Sequence, residues 1–149
     1  MPRFALFGVR IVIIAVVAVG GLLFRDRLTG GASDLAVGDC FDEPATTGEV
    51  RDVQHHPCTE SHTSEVVFVG DMPASSAYPT DAQFVAYIRA SCVPAFNTYT
   101  GLDFDVLEAV DMGYLTPTAE GWAKDDHEVI CYAIRSDGAL VSQSFKAAQ

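Results

Sequence analysis

The chain has 149 residues, of which 20 are acidic and 9 are basic, and its net charge at pH 7 is −11. That length provides for one domain at most. Four arginines and one aspartate give residues 1–27 a charge of +3, which leaves −14 on residues 28–149. Because so acidic a domain is repelled by a phosphate backbone, we expect no nucleic-acid partner.

The N-terminal segment predicts a membrane anchor. Residues 4–24 (FALFGVRIVIIAVVAVGGLLF) are apolar except for Arg10, and about 20 such residues span a bilayer as a helix. A cleaved signal peptide is the alternative, with residues 18–20 (AVG) as its cleavage site. The apolar run continues past that site and stops at residues 25–27 (RDR), which favours an uncleaved anchor.

The charges beside this segment indicate its orientation. The α-amino group, Arg3 and Arg10 lie on its N-terminal side, which carries slightly more positive charge than residues 25–27. The positive-inside rule favours a cytoplasmic N-terminus only slightly, so the cysteines described below decide the orientation. We therefore predict a single-pass protein of the cell membrane. Its cytoplasmic stub and anchor are residues 1–27, its flexible linker is residues 28–36 (LTGGASDLA), and its extracytoplasmic domain is residues 37–149.

The domain predicts short strands around one main helix. Residues 80–92 (TDAQFVAYIRASC) read as a helix because Thr80 can cap it and the apolar residues 84, 85, 88 and 92 share a face. Pro94 ends or kinks this helix, and another turn can follow before Gly101. The predicted strands lie in residues 37–42, 49–54, 65–72, 105–115 and 127–135, with a turn-like segment at residues 116–126.

The clearest local signal is at the C-terminus. Residues 127–135 (HEVICYAIR) and 139–145 (ALVSQSF) flank a Ser-Asp-Gly turn, which predicts a β-hairpin. Together these elements predict an α+β domain, a small antiparallel sheet with the helix packed on one face.

Four cysteines, Cys40, Cys58, Cys92 and Cys131, all follow the predicted anchor. An even number in a small exported domain indicates two disulfides, for which three pairings exist. Cys40 and Cys58 flank one predicted turn, and Cys92 on the helix can reach Cys131 on a strand. These positions favour the pairing Cys40–Cys58 with Cys92–Cys131.

The stretch HHPCTESH, residues 55–62, contains three histidines and a cysteine. A metal site on His55, His56 and His62 is one interpretation, and a cysteine enzyme is another. A disulfide at Cys58 removes the thiolate from both, and adjacent histidines on a strand point to opposite faces. We therefore expect no metal, no cofactor and no catalytic residue. The structural role expected for His62 is a half-buried imidazole that bonds to the backbone or to Glu65.

Several motifs resemble the actinobacterial septum-formation family over residues 35–146. They are VGDCF (37–41), PCTESHTSEVV (57–67), the Ser-Cys pair at residues 91–92 with Phe96, and PTAEGWAKDDHEVIC (117–131). Two positions depart from the family pattern. Ser61 stands where proline is usual, and residues 125–127 (DDH) replace the usual Gly-Asp-Arg.

The resemblance implies an extracytoplasmic, disulfide-bonded domain linked to septum formation and cell division, with no established catalytic residues. Besides the cysteines, the motif residues carried over as structural are Gly38, Asp39, His62, Glu65, Trp122 and Asp126. The resulting hypothesis is a non-catalytic, membrane-anchored interaction module that binds a protein or cell-envelope component. The alternative is a small metal-binding or metal-dependent hydrolytic domain that uses His55, His56 and His62.

Overall fold

The computed structural model describes residues 29–45, 48–106 and 109–148. Its six strands are β1 (Thr29–Gly31), β2 (Cys40–Phe41), β3 (Asp52–His56), β4 (Ser64–Asp71), β5 (Val110–Leu115) and β6 (Glu128–Arg135). They form one antiparallel sheet in the order β1-β3-β2-β4-β6-β5. The predicted anchor, residues 4–24, lies outside the described residues. Within the described ranges, no helix has the length and apolarity needed to cross a bilayer.

The two longest strands, β4 and β6, form the centre of the sheet. Both are rich in β-branched and aromatic residues, which suit a strand that is covered on both faces. They pair from Ser64↔Ile134 to Asp71↔Glu128, and a bulge between Val66 and Phe68 shifts the register. The α+β class and the antiparallel sheet predicted from the sequence are thus confirmed.

One main helical segment covers one face of the sheet. It comprises α1 (Asp81–Tyr87), a π-helical stretch (Ile88–Cys92) and α2 (Val93–Thr100), which ends at Gly101. Thr80 and Gln83 form a reciprocal capping box at its start, as the choice of Thr80 predicts. Pro94 does not end the helical segment. It lies in the first turn of α2, directly after the π-helical stretch, which is the kind of irregularity at which helices kink.

The buried face of this helix is a narrow stripe of residues spaced by four, Phe84, Ile88, Cys92 and Phe96. Val85, predicted to share that face, is instead 53% exposed. The disulfide Cys92–Cys131 joins this stripe to β6 and is fully buried. It therefore fixes the helix against the central strand, and a bridge of this kind typically contributes about 2–4 kcal/mol to stability.

The opposite face of the sheet is partly covered by Ala32 and Leu35, which belong to a stretch that the sequence analysis expects to be a flexible linker. Instead, β1 pairs with β3 and a short 3₁₀ helix follows at Ala32–Asp34. Ala32 and Leu35 are buried in a second core. Gly30 permits this close packing, because a Cβ atom there would lie 2.9 Å from Nε2 of His55. The folded part thus includes residues before the expected boundary at residue 37.

The predicted C-terminal hairpin is wrong in its second strand. The turn after β6 is present, with Gly138 donating its N–H to the carbonyl of Arg135 at 2.9 Å. Residues 139–145 do not return along β6, because β4 and β5 already occupy both of its edges. They run instead to the far side of β4, where Val141 forms an isolated antiparallel bridge with His62.

The segment predicted as turn-like, residues 116–126, contains the short helix α3 (Ala119–Trp122). Thr118 caps it by accepting a hydrogen bond from Gly121 N–H at 2.9 Å. The chain leaves this helix through Asp125, which has a left-handed backbone with φ of 65°. A backbone angle of this kind favours glycine, the residue that the family resemblance implies for this position.

Replacing Asp125 with glycine should therefore stabilise the protein. Glycine adopts this angle without steric cost, and we expect a gain of about 0.5–1 kcal/mol in the free energy of unfolding. Denaturant unfolding of the parent, Asp125→Gly and Asp125→Ala would measure it. A glycine variant no more stable than the alanine variant would show that the angle carries no strain.

Candidate functional site

The stretch HHPCTESH lies where β3 ends and β4 begins. Cys58 is bonded to Cys40 of β2, so all four cysteines of the chain are in disulfides, in the pairing that the sequence favours. Neither sulfur of this bridge is a thiolate. A cysteine nucleophile at Cys58 is therefore absent from the oxidised protein.

The three histidines of this stretch do not converge. In the register of β2 and β3, His55 lies opposite Phe41 and His56 lies opposite Cys40, so the two imidazoles take opposite faces of the sheet. His56 donates from Nε2 to Oδ2 of Asp42 at 2.8 Å. Among the described residues, the only group with metal-ligand spacing is Cys40, His62 and Glu65. The set His55, His56 and His62 is thus not assembled.

Glu65 is a buried carboxylate, with 1% of its surface exposed. Oε1 accepts hydrogen bonds from the Tyr99 hydroxyl at 2.5 Å and the Ser144 hydroxyl at 2.6 Å, and Oε2 accepts one from Phe145 N–H. Burial, together with the hydrogen bond to Glu65, raises the pKa of Tyr99 well above its usual range, so this hydroxyl remains a donor. The carboxylate thereby joins β4 to α2 and to the C-terminal segment.

His62 is fully buried rather than half-buried. Its Nδ1–H donates to the backbone carbonyl of Glu60 at 2.8 Å, which is the backbone contact expected for it. Its own N–H and carbonyl both pair with Val141, each at 2.9 Å. His62 and Glu65, both motif residues, thus fasten the same stretch of chain, residues 141–145.

The motif residues Gly38 and Asp39 attach the N-terminal part of the domain to β4. Gly38 N–H donates to the carbonyl of Val66 at 2.9 Å with φ of 96°, an angle that favours glycine. The carbonyl of Asp39 accepts from Val66 N–H at 2.9 Å, and its Oδ2 accepts from Ala36 N–H at 2.9 Å. Both residues act on the backbone of this junction.

Trp122 and Asp126 organise the segment around α3. The indole N–H of Trp122 donates to the carbonyl of Ser75 at 2.9 Å, and its ring packs on His127 with a centroid separation of 4.2 Å. Asp126 Oδ1 accepts from Glu128 N–H at 3.2 Å. These contacts position the loop that leads into β6.

On the opposite face from the main helix, a groove of about 1080 Å³ lies beside β5 and β6. The sequence analysis does not find it, because its walls come from distant parts of the chain. They comprise residues 32–33, 43–45 and 48–51, Tyr78, and residues between 114 and 132. Its charged lining comprises five acidic and two basic residues: Glu43, Glu49, Glu120, Asp126, Glu128, Arg51 and Lys124.

Both basic residues of the groove are already paired. Arg51 contacts Glu49 at 3.1 Å and Lys124 contacts Glu120 at 2.6 Å. Tyr132 lies in the groove wall and donates its hydroxyl to Glu43 at 2.9 Å. The groove therefore has a net negative charge, which suits a cationic ligand.

The carboxyl group of Glu128 has a raised pKa. Partial burial is the main cause, and the nearby carboxylates of Asp126 and Asp71 add to it. Burial and these neighbouring carboxylates thus disfavour the charged form of Glu128.

The arrangement defines a small α+β domain cross-linked by two disulfides. The sequence model of a protein family described as septum formation matches residues 37–149. This is well over half of the chain, which therefore belongs to the septum formation family, as its motifs predict. No curated protein and no solved structure shows significant similarity to the chain.

Replacing Glu65 with glutamine should weaken the attachment of the C-terminal segment. In the parent, three donors face the two carboxylate oxygens of Glu65. The amide of glutamine replaces one of these oxygens with an NH₂ group, which cannot accept a hydrogen bond. We therefore expect a loss of about 2–4 kcal/mol in the free energy of unfolding. Denaturant unfolding would measure the loss, and hydrogen exchange should show faster exchange at residues 141–145. Glu120→Gln, at an exposed ion pair, is the matched control and should change stability little. Equal losses in both variants would contradict the assigned role of Glu65.

Glu128→Gln should stabilise the protein at pH 7. A carboxyl whose pKa is higher in the folded state binds its proton more tightly there, so stability falls as the pH rises above the ordinary value of 4.5. The variant should melt at a higher temperature than the parent at pH 7, and the difference should vanish below pH 4.5. Glu49→Gln, in the same groove but exposed, is the control. A constant difference across this pH range would contradict the prediction.

Proposed function

We propose that this protein is a membrane-anchored, extracytoplasmic interaction module that binds a protein or cell-envelope component during septum formation and catalyses no reaction. The observation that carries the proposal is the family match over residues 37–149, since the septum formation family suggests a role in division. Residues 1–27 supply the cytoplasmic stub and anchor, and the remainder faces the envelope.

The two disulfides support the extracytoplasmic location. Disulfides persist in oxidising compartments and are rare where thiols are kept reduced. Cys92 and Cys131 are completely buried in the core, where their bridge connects the helix to the sheet. An oxidising compartment would allow this buried bridge to form, which supports the proposed location.

The acidic groove is the surface that we assign to binding. It combines the exposed ring of Tyr114, and the wall formed by Tyr78 and Tyr132, with unbalanced negative charge. Aromatic side chains supply contact area at low entropic cost, and the charge selects a partner with a basic segment. The histidines of HHPCTESH lie elsewhere, and we do not assign them to this function.

Location and division can be tested in cells. A C-terminal reporter enzyme that works only in an oxidising compartment should be active, and a fluorescently tagged copy at native level should concentrate at the septum. Deletion of the gene should delay septation and lengthen the cells. An inactive reporter would contradict the topology, and uniform peripheral signal with normal division would contradict the septal role.

The assignment of the groove can be tested with matched charge changes. Glu120→Lys adds positive charge to the groove at a side chain that is 80% exposed, and it should reduce septal enrichment because it opposes a basic partner. Asp52→Lys makes the same change at an exposed position outside the groove lining and should leave enrichment intact. Unchanged melting temperatures would show that neither variant acts through unfolding. Equal enrichment of both would place the binding surface elsewhere.

A further inference from the structure

The buried group of Cys40, His62 and Glu65 has the composition of a metal site. Its ligand atoms, the sulfur of Cys40, a ring nitrogen of His62 and a carboxylate oxygen of Glu65, all lie within 4.8 Å of one another. All three residues are at most 2% exposed. Thiolate, imidazole and carboxylate are the protein ligands of zinc. In the oxidised protein, however, the sulfur of Cys40 is in a disulfide and is not a thiolate.

The imidazole of His62 is arranged as a ligand. Because a carbonyl oxygen can only accept, the hydrogen bond to Glu60 places the ring proton on Nδ1 and leaves the lone pair on Nε2. Nε2 is buried and has no hydrogen-bond partner in the described part of the chain. Ligating histidines typically have this arrangement, with one nitrogen held by a carbonyl and the other facing the metal.

Neighbouring hydrogen-bond donors also orient the carboxylate of Glu65. It accepts three hydrogen bonds, from Tyr99, Ser144 and Phe145, and a carboxylate offers about four lone-pair positions. One position is therefore left for a metal. The donors around it fix the direction of the carboxylate, as the outer contacts of metal ligands do.

Cys58 supplies the fourth donor. Its sulfur is bonded to that of Cys40 but lies outside the group whose ligand atoms are all within 4.8 Å of one another. Once the disulfide opens, the partly exposed side chain of Cys58 has to turn towards His62 and Glu65 to complete the set. Two thiolates, an imidazole and a carboxylate make a complete four-coordinate zinc set. We propose that Cys40, Cys58, His62 and Glu65 bind one zinc ion when the Cys40–Cys58 disulfide is reduced, so that the metal and the disulfide are alternative cross-links at the same place.

Conversion of the disulfide form to the zinc form needs a reductant. A dithiol reductant transfers two electrons and two protons to the Cys40–Cys58 bond and itself becomes a disulfide. The two new thiols release their protons when zinc binds. Cys58 is partly exposed, whereas Cys92 and Cys131 are fully buried. Reductant therefore reaches the Cys40–Cys58 bridge first.

The proposal is independent of the proposed function and can be tested on the full-length chain in detergent. A phosphine opens the bridge without offering a pair of thiolates to the metal; it takes oxygen from a water molecule, whose two protons complete the thiols. Alkylation and mass spectrometry then show which cysteines are free. We expect about one zinc ion per reduced chain and only background zinc on the oxidised chain. Cobalt in place of zinc should give the visible spectrum of a tetrahedral thiolate site.

Matched variants separate a built site from loose binding to thiols. His62→Gln should lose the cobalt spectrum, whereas His56→Gln, which changes the histidine paired with Asp42, should keep it. Tyr99→Phe removes one contact to Glu65 and should weaken zinc binding by roughly 10-fold or more. Tyr87→Phe removes a hydroxyl that donates to the carbonyl of Asp71 instead, and it should bind zinc as the parent does.

Circular dichroism of each oxidised variant would first show that it folds, and if His62→Gln does not, the two tyrosine variants decide the question. A chain with free thiols at Cys40 and Cys58 that takes up no zinc would overturn the proposal. So would equal zinc binding by the oxidised and reduced chains, or an unchanged cobalt spectrum in a folded His62→Gln variant.

Discussion

The buried carboxylate of Glu65 places the strongest constraint on the rest of the structure. Removing a charge from water costs several kcal/mol unless hydrogen bonds replace its hydration. Its three donors come from α2 and from the C-terminal segment, which are 34 to 80 residues away in sequence. The charge is tolerable only when all of these parts are in place, so it couples the sheet, the helix and the chain terminus into one cooperative unit.

The two faces of the sheet are covered differently. One face carries the main helix, the Cys92–Cys131 bridge and the larger core. The other face is covered by residues 29–36 only in part, which leaves the acidic groove open along β5 and β6. This division suits the interaction module that we propose.

Features that depend on neighbours in the sequence could be predicted well. The cap at Thr80, the helix that follows and the turn at residues 136–138 are local, and the disulfide pairing needed only the approximate positions of strands and helix. The predicted second strand at residues 139–145 failed because pairing of β6 with β4 and β5 is long-range and competes with the local hairpin signal. The groove and the burial of Glu65 could not be predicted either, because the contacts that form them join residues distant in the sequence. Residues 29–36 look like a linker by composition, yet the small size of Gly30 lets them pack on the sheet.

The pairing of β1 with β3 has a mechanical consequence under the proposed anchoring. If residues 4–24 span the bilayer, only residues 25–28 separate the membrane from the first residue of the sheet. Four residues cover at most about 14 Å even when fully extended. The domain therefore could not reorient freely relative to the membrane. Its β1 edge would stay beside the lipid headgroups, and a partner would approach it from a restricted range of directions.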